Sequence, residues 1–338
     1  MKKALITGIN GQVGPYLAKY LLDKDYFVYG MVRQSSHPNL SFINEFKLNK
    51  NFDLCYGDLT DDYSIRTIIE NCNPDIVYNL AAVSHPGISF DQPEITTRVN
   101  GTSVLCFLDI VKKTNKNIKF CQIGSSDMFA GTKTSPQNED TPFSPLTPYG
   151  AAKCFGHNIG KIYREAYGLY VTNLICYGHE SPRRSTNFVV GKVTDYVARY
   201  SKAQDLTPLS LGNLSSKRDW GDVPSFVEAM YLSMQIDKPD DYVLGTGQVY
   251  SVRDLCKTAF NRIGVELDFI GSGENEIGVD KNTNKIVINV DKNFYRPLEP
   301  RCLVADPSKA NKILGWRNKM DFSSIISWLV DTKCSSLR

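Results

Sequence analysis

A short apolar run, Ala4-Leu5-Ile6-Thr7, leads straight into Gly8-Ile-Asn-Gly11-Gln-Val-Gly14 and then into the helical pattern of Tyr16 to Leu22. No other feature constrains the fold as much as this order of strand, glycine turn and helix. Glycines admit a tight turn and the close approach of a pyrophosphate, and a helix N-terminus favours its negative charge. The spacing is Gly-x-x-Gly-x-x-Gly rather than Gly-x-Gly-x-x-Gly, but its position between a strand and a helix is the one a dinucleotide requires. Gly8, Asn10, Gly11, Gln12, Val13 and Gly14 are therefore candidate cofactor contacts.

The end of the second strand pattern bears on which dinucleotide is bound. Phe27-Val28-Tyr29-Gly30-Met31-Val32 runs into Arg33-Gln34-Ser35-Ser36, with no carboxylate to grip a ribose 2′-hydroxyl. Arg33 and Ser36 suit a 2′-phosphate instead, which favours NADP(H) over NAD(H). Arg33 read alone is also compatible with a solvated cation at a strand end. Farther on, the Asp58 carboxylate in Tyr56-Gly57-Asp58-Leu59 could meet an adenine amino group. The small residues of Ile76-Val77-Tyr78-Asn79-Leu80-Ala81-Ala82 would let a backbone pass close to the cofactor. Core and loop roles remain open for both segments.

A second constellation carries chemistry. Tyr149-Gly-Ala-Ala-Lys153 places a phenol and an ammonium four residues apart, on one face of a helix. A phenol titrates near pH 10, and making it a base near pH 7 takes about three units, roughly 4 kcal/mol of differential stabilisation. A neighbouring ammonium can supply much of that. Upstream, Ser125-Ser126-Asp127 offers hydroxyls for a substrate oxygen and a carboxylate for a second proton. Together these residues suit the oxidation of an alcohol.

Strand-like and helix-like patterns alternate up to about Tyr177, then give way to charged, loop-rich sequence. The alternation predicts an α/β fold, a Rossmann-like doubly wound parallel sheet, with a smaller, mixed C-terminal substrate domain. Residues 1–177 are expected to form the dinucleotide domain and 178–330 mainly the substrate domain, with a stretch around 217–250 returning to the first. A chain of 338 residues is long enough for both.

A net charge of +3 is too mild to imply nucleic acid. Nine cysteines without Cys-x-x-Cys spacing read as reduced thiols of a cytoplasmic protein. The four histidines, His37, His85, His157 and His179, have no metal-ligand spacing, so no metal is expected. Gly8 interrupts the N-terminal apolar run too early for a signal peptide, and no run approaches the roughly 20 residues of a membrane span.

Further motifs carry a resemblance to a known family. His179-Glu-Ser-Pro-Arg-Arg184, Leu211-Gly-Asn-Leu214 with Lys217-Arg-Asp-Trp-Gly221, Val227-Glu-Ala-Met230 and Tyr295-Arg-Pro297 with Glu299 are the more particular ones. Asp127-Met-Phe129, Asp306-Pro307 and Leu314-Gly-Trp316 accompany them. With the glycine turn, they resemble the GDP-mannose 4,6-dehydratase family of extended short-chain dehydrogenases/reductases, from the first strand to about residue 330.

The resemblance implies a bound NADP and a GDP-sugar substrate, most closely GDP-mannose. It implies oxidation at C4, loss of water across C5 and C6, and return of hydride to C6. Tyr149 would take the O4 proton, Lys153 would hold the ribose and lower the phenol pKa, and Ser125 and Ser126 would bind the reacting oxygens. Asp127 stands where the family has a glutamate base.

His179 and Arg184 would lie against the cofactor, although Glu180, Arg183 and Arg184 could equally order their own loop. Arg218 and Arg296, assisted by Lys192, would clamp the diphosphate, and Lys217 would bind the substrate beside them. Glu299, Asn213 and Ser84 would contact the nucleoside or sugar. The family also implies a homodimer or homotetramer. Gly124-Ser125-Ser126 is similar to reductases that act on GDP-4-keto-6-deoxyhexoses, so a reductase or epimerase, or a dehydratase for another GDP-sugar, is a second reading. A non-catalytic scaffold is a third.

Overall fold

The computed structural model describes residues 1–36, 39–203, 206–295, 298 and 302–337. Its first half contributes six strands, β1 (Lys3–Thr7), β2 (Phe27–Val32), β3 (Phe52–Tyr56), β4 (Ile76–Asn79), β5 (Lys119–Ile123) and β6 (Val171–Cys176). Most are short apolar runs, as strands covered on both faces must be. After them come β7 (Gly178–Glu180), β8 (Leu209–Leu211), β9 (Lys217–Arg218), β10 (Trp220–Asp222), β11 (Asp241–Leu244), β12 (Tyr250–Ser251), β13 (Leu267–Ile270), β14 (Ile277–Asp280) and β15 (Ile286–Val290). The large sheet has seven strands in the order β11-β6-β5-β4-β1-β2-β3. All its pairings are parallel. The order reverses between β1 and β4, the switch point at which such sheets bind ligands.

The helices are α1 (Gly14–Leu22), α2 (Asp62–Cys72), the short α3 (Ile88–Asp91) and α4 (Pro93–Thr97), α5 (Ser103–Thr114), α6 (Pro148–Tyr167), α7 (Val189–Tyr200), α8 (Val223–Ser233), α9 (Val252–Asn261), α10 (Ser308–Leu314) and α11 (Phe322–Ser336). One face of the sheet packs against α1, α8 and α10 through Ile6, Leu17, Tyr78, Phe226 and Trp316. The other packs against α2, α5 and α6 through Leu5, Val77, Phe107, Phe120 and Tyr163. Each fully buried Leu, Ile, Val or Phe among them stabilises the fold by about 1.5–3 kcal/mol. This is the Rossmann-like doubly wound architecture predicted from the alternation.

A smaller four-stranded sheet, β13-β14-β15-β8, is mixed: its first two pairings are antiparallel and the last is parallel. Helices α7, α9 and α11 cover it with Val193, Leu255, Phe260 and Leu329. Within the stretch expected to return, β11 joins the large sheet beside β6 and α8 packs beneath it. A second return lies outside that expectation. Trp316, just after α10, is buried in the first core, and its indole N–H donates to the Ser225 carbonyl at 2.6 Å. A seven-residue helix is too short for its apolar spacing to announce such a partner. Among the described residues no helix is long and apolar enough to cross a membrane.

Candidate active site

Helix α6 begins where its sequence dictates. Thr147 is extended and its hydroxyl accepts the Gly150 N–H at 2.9 Å, while Pro148 fills the first turn. Tyr149 therefore sits in the first turn and Lys153 one turn later, both buried, with the ammonium 5.8 Å from the phenol ring centroid. Glycine at position 150 lets this turn lie on the segment after β5. A Cβ there would stand 2.8 Å from the Asp127 carbonyl oxygen. That contact brings together residues from two separate parts of the chain.

Ser125 starts a 3-10 turn, Ser126–Phe129. Its hydroxyl accepts the Asp127 N–H at 3.2 Å and donates to the Asp127 carboxylate at 3.4 Å. It also lies close enough to the Tyr149 phenol to pull its pKa down. Ser126 is half-buried beside them. Burial, and then the Asp127 charge, hold Tyr149 above the ordinary phenol value, against Ser125 and Arg184, which pull it down. Burial pushes the Lys153 ammonium down to about 8. The expected lowering of Tyr149 is therefore not achieved by the protein's own charges. The Lys153 ammonium is held by the Ile123 carbonyl at 2.7 Å.

The candidate cofactor residues gather at the carboxyl ends of β1, β2, β3 and β4. Gly8 has φ +65°, and a Cβ there would meet the Ala81 Cα at 2.8 Å. The glycine turn and the Leu80-Ala81-Ala82 segment are thus in backbone contact, with the Ala81 N–H donating to Thr7 Oγ1 at 3.0 Å. Gly11, Val13 and Gly14 continue the turn into α1. Asn10 Nδ2 donates to the Asn39 carbonyl at 3.2 Å. Gln12 Nε2 donates to the His179 carbonyl at 2.7 Å, while its buried Oε1 has no partner.

Arg33 and Ser36 are exposed beyond β2. Burial would raise the Asp58 carboxyl, but hydrogen bonds from Thr60, with Arg33 and Arg98, leave it below the usual value. Leu59 follows it, buried. The glycine cradle, an arginine beyond β2 and an unpartnered amide oxygen are a donor and acceptor set that fits a dinucleotide.

His179 stacks on Phe226 with centroids 4.8 Å apart, and its Nδ1 lies 2.8 Å from the Tyr177 carbonyl. Burial and the Arg184 charge push it down to about 4, so it is neutral at ordinary pH. Arg184 forms two bonds to Glu180, at 2.6 and 3.1 Å, and also donates to the His179 carbonyl. Ordering of the loop by Arg184 and Glu180 is thus present in the geometry. Arg183 does the same outward, bonding Glu45 at 3.1 Å and lying over the Tyr16 and Phe42 rings.

On the substrate side the candidates are more spread. Lys192 donates to the Ser210 carbonyl at 2.7 Å, lies 3.7 Å from the Phe294 ring centroid, and is held below the ordinary lysine value by burial. Asn213 accepts the Ser215 N–H at 2.9 Å. Lys217 and Arg218 form β9, paired with β12. Ser84 is exposed after β4. Arg296 and Glu299 lie outside the described residues.

Three residues that the sequence reading missed support the site. Ser89 Oγ accepts the Tyr149 N–H at 3.2 Å, pinning the first turn of α6. The Cys176 thiol, pushed up to about 12 by burial, interacts with Lys153. The Asp219 carboxylate accepts N–H bonds from Thr246 and Gly247, both at 2.9 Å, and anchors the segment that carries Arg218. None has a local pattern of its own; only the Asp within Lys-Arg-Asp-Trp-Gly lay inside a motif.

Comparison with known proteins agrees with this geometry. The profile described as GDP-mannose 4,6 dehydratase matches residues 5–328. GDP-mannose 4,6 dehydratase of Cricetulus griseus is 43% identical over 345 residues, covering 100% of this chain and 92% of that protein. The Homo sapiens protein of the same name is 43% identical over 343 residues, covering 99% and 92%. Among solved structures, dTDP-glucose 4,6-dehydratase from Bacillus anthracis, in complex with NAD, has a TM-score of 0.80 at 18% identity, covering 98% of this chain and 96% of that one. With a profile match along nearly the whole chain and full-length relatives above forty per cent identity, the chain belongs to the GDP-mannose 4,6 dehydratase family.

Proposed function

We propose that this chain is an NADP-dependent GDP-mannose 4,6-dehydratase. It oxidises C4 of the hexose, eliminates water across C5 and C6, and returns hydride to C6, giving GDP-4-keto-6-deoxymannose. The observation that carries this reading is the meeting of Tyr149 and Lys153 with Ser125 and Asp127 at the carboxyl ends of the strands, in a chain of that family. The cofactor, when bound, supplies the hydride acceptor for C4 and the hydride donor for C6. NAD in a dehydratase of the same fold supports a nicotinamide, and Arg33 beyond β2 favours the 2′-phosphate of NADP.

Tyr149 takes the C4 hydroxyl proton while Ser125 holds that oxygen, and the Lys153 ammonium stabilises the phenolate and binds ribose. The resulting ketone acidifies the C5 proton, which Asp127 removes. Asp127 passes that proton to the C6 hydroxyl, which departs as water with its oxygen bound by Ser126, and C5 regains a proton as C6 is reduced. Gly8, Asn10, Gly11, Gln12, Val13, Gly14, Arg33, Ser36, Asp58, Leu59, Leu80, Ala81, Ala82, His179 and Arg184 serve the cofactor. Ser84, Lys192, Asn213, Lys217 and Arg218, with Arg296 and Glu299, serve the nucleotide sugar.

In this reading residues 1–177, with 217–250, form the cofactor domain, and 178–330 form most of the substrate domain. A homodimer or homotetramer is favoured by Phe155 and Ile162, 43% and 50% exposed on α6. Nine cysteines free of disulfides favour the cytoplasm. Incubating the purified protein with GDP-mannose and NADP is expected to yield a 4-keto product one water lighter, with NAD supporting less turnover. Unchanged sugar under both conditions overturns the reading.

A further inference from the structure

A row of polar side chains crosses the floor of the site from the glycine turn to the catalytic helix. Thr7, Asn79 and Gln122 are register partners on β1, β4 and β5, so their side chains share the face of the sheet that α2, α5 and α6 cover. All three are buried. Polar groups at such depth persist only with hydrogen bonds. Here the bonds all donate in one direction. The Ala81 N–H donates to Thr7 Oγ1 at 3.0 Å, and Thr7 Oγ1 to Asn79 Oδ1 at 2.9 Å. Asn79 Nδ2 donates to Gln122 Oε1 at 2.8 Å, and Gln122 Nε2 to the Ile123 carbonyl at 3.2 Å. The same carbonyl accepts Lys153 Nζ at 2.7 Å. The β4–β5 pairing ends at Asn79 and Gln122, so the Ile123 carbonyl lies one residue beyond the ladder.

We infer that Gln122 is a positioning residue for Lys153: its amide, braced by Asn79, fixes the carbonyl that holds the lysine ammonium and shares that carbonyl with it. A carbonyl oxygen has two lone pairs and an ammonium three donors. With one lone pair directed to Gln122, Lys153 makes one bond to the oxygen and keeps two donors for Tyr149 and the ligands of the site. The sharing also limits how far the carbonyl stabilises the charged form of the lysine. The ionisable neighbours are Tyr149 on α6, Cys176 on β6 and Asp127 beside Tyr149. Burial has already brought the lysine to about 8, so a modest change at this carbonyl moves its charge across the working pH range.

This inference rests on the proposed role of Lys153 in catalysis, but its primary test needs no substrate. Ligand-free protein labelled with 13C-lysine is titrated between about pH 6 and about pH 11, following the lysine Cε signals, with Lys153→Met identifying the one that matters. Gln122→Glu keeps an oxygen for Asn79, removes the N–H given to Ile123, and brings a carboxylate near the lysine. Its midpoint is expected to rise by at least about one unit. Gln122→Met leaves the carbonyl to Lys153 alone, and its midpoint is expected to rise by about half a unit.

In turnover of GDP-mannose the alkaline limb of kcat moves up with the midpoint, while KM stays within about twofold. A midpoint unchanged in either folded variant overturns the inference, even where Tm falls, because lost core packing alone lowers Tm without moving the titration. Should Gln122→Met fail to fold, Gln122→Glu, which retains the partner of Asn79, decides. Wild-type protein that leaves GDP-mannose unchanged would overturn the proposed reaction, while the titration would still judge Gln122.

Discussion

Asp127 and Tyr149 have opposed needs at one site. The carboxylate must be ionised to act as a base, and its charge holds the neighbouring phenol above the ordinary value. Neutralising Asp127 therefore removes the proposed C5 base and at the same time relaxes Tyr149 downward. Asp127→Asn is expected to reduce formation of the 4-keto-6-deoxy product by at least about a hundredfold, with cofactor binding retained. Product analysis by NMR and a fluorescence titration with NADP measure the two effects separately. Normal dehydration by this variant would remove Asp127 from the role of base. At this scale the spacing of Tyr149 and Lys153 was legible because four residues are one helical turn. The Ile123 carbonyl, Ser89 and Cys176 were not, because each reaches the pair across the fold rather than along the chain.

Helix α6 is aimed by polar anchors along one side. Lys153, His157 and Arg164, at spacings of one and two turns, all meet the sheet. Lys153 bonds Ile123, His157 Nε2 lies 3.3 Å from Asp241, and Arg164 reaches Asp241 at 2.8 Å and the Val171 carbonyl at 2.9 Å. Asn173 joins by donating to Asp241 at 2.8 Å and to the His157 carbonyl at 3.2 Å. Burial alone would raise the Asp241 carboxyl, but His157 and Arg164 outweigh it and hold it well below the usual range.

A carboxyl whose folded pKa is depressed contributes stability that is complete above the unfolded value near 3.9 and is lost on acidification below it. Asp241→Asn is expected to lower stability in urea by about 3 kcal/mol near pH 7, because it leaves Arg164 with a weakened buried partner. The difference from wild type should shrink as the pH falls below about 4. A variant as stable as wild type at neutral pH would show that apolar packing alone aims the helix. The start of α6 is set locally by Thr147 and Pro148 and its end by Gly168, whereas Asp241, on a strand far along the chain, carries no local mark of its partnership with the helix.

Across the whole molecule, the second half of the chain both builds a mixed sheet and completes the first core. Strand β11 extends the large sheet beside β6, while helix α8 and Trp316 close the face opposite α6. The outer surface of α6 remains apolar at Phe155 and Ile162. If that surface is where copies meet, the protein should elute at two or four times its chain mass in light scattering, and the double variant Phe155→Glu with Ile162→Glu should be monomeric with near-native Tm. A monomeric wild type would refute the proposed assembly.

The sequence by itself determined the nucleotide-binding turn, the alternating strands and helices, the phenol and lysine on one helix, and the family. Each of these is written in adjacent residues or in a helical or strand period, so short-range chemistry suffices to read it. Only the tertiary structure decided that Asp127 and Ser125 stand against Tyr149, and that the carbonyl bonded by Gln122 is the one that holds Lys153. Those relations depend on strand register and on backbone approach at Gly150, between segments tens of residues apart in the chain, and no local pattern encodes either.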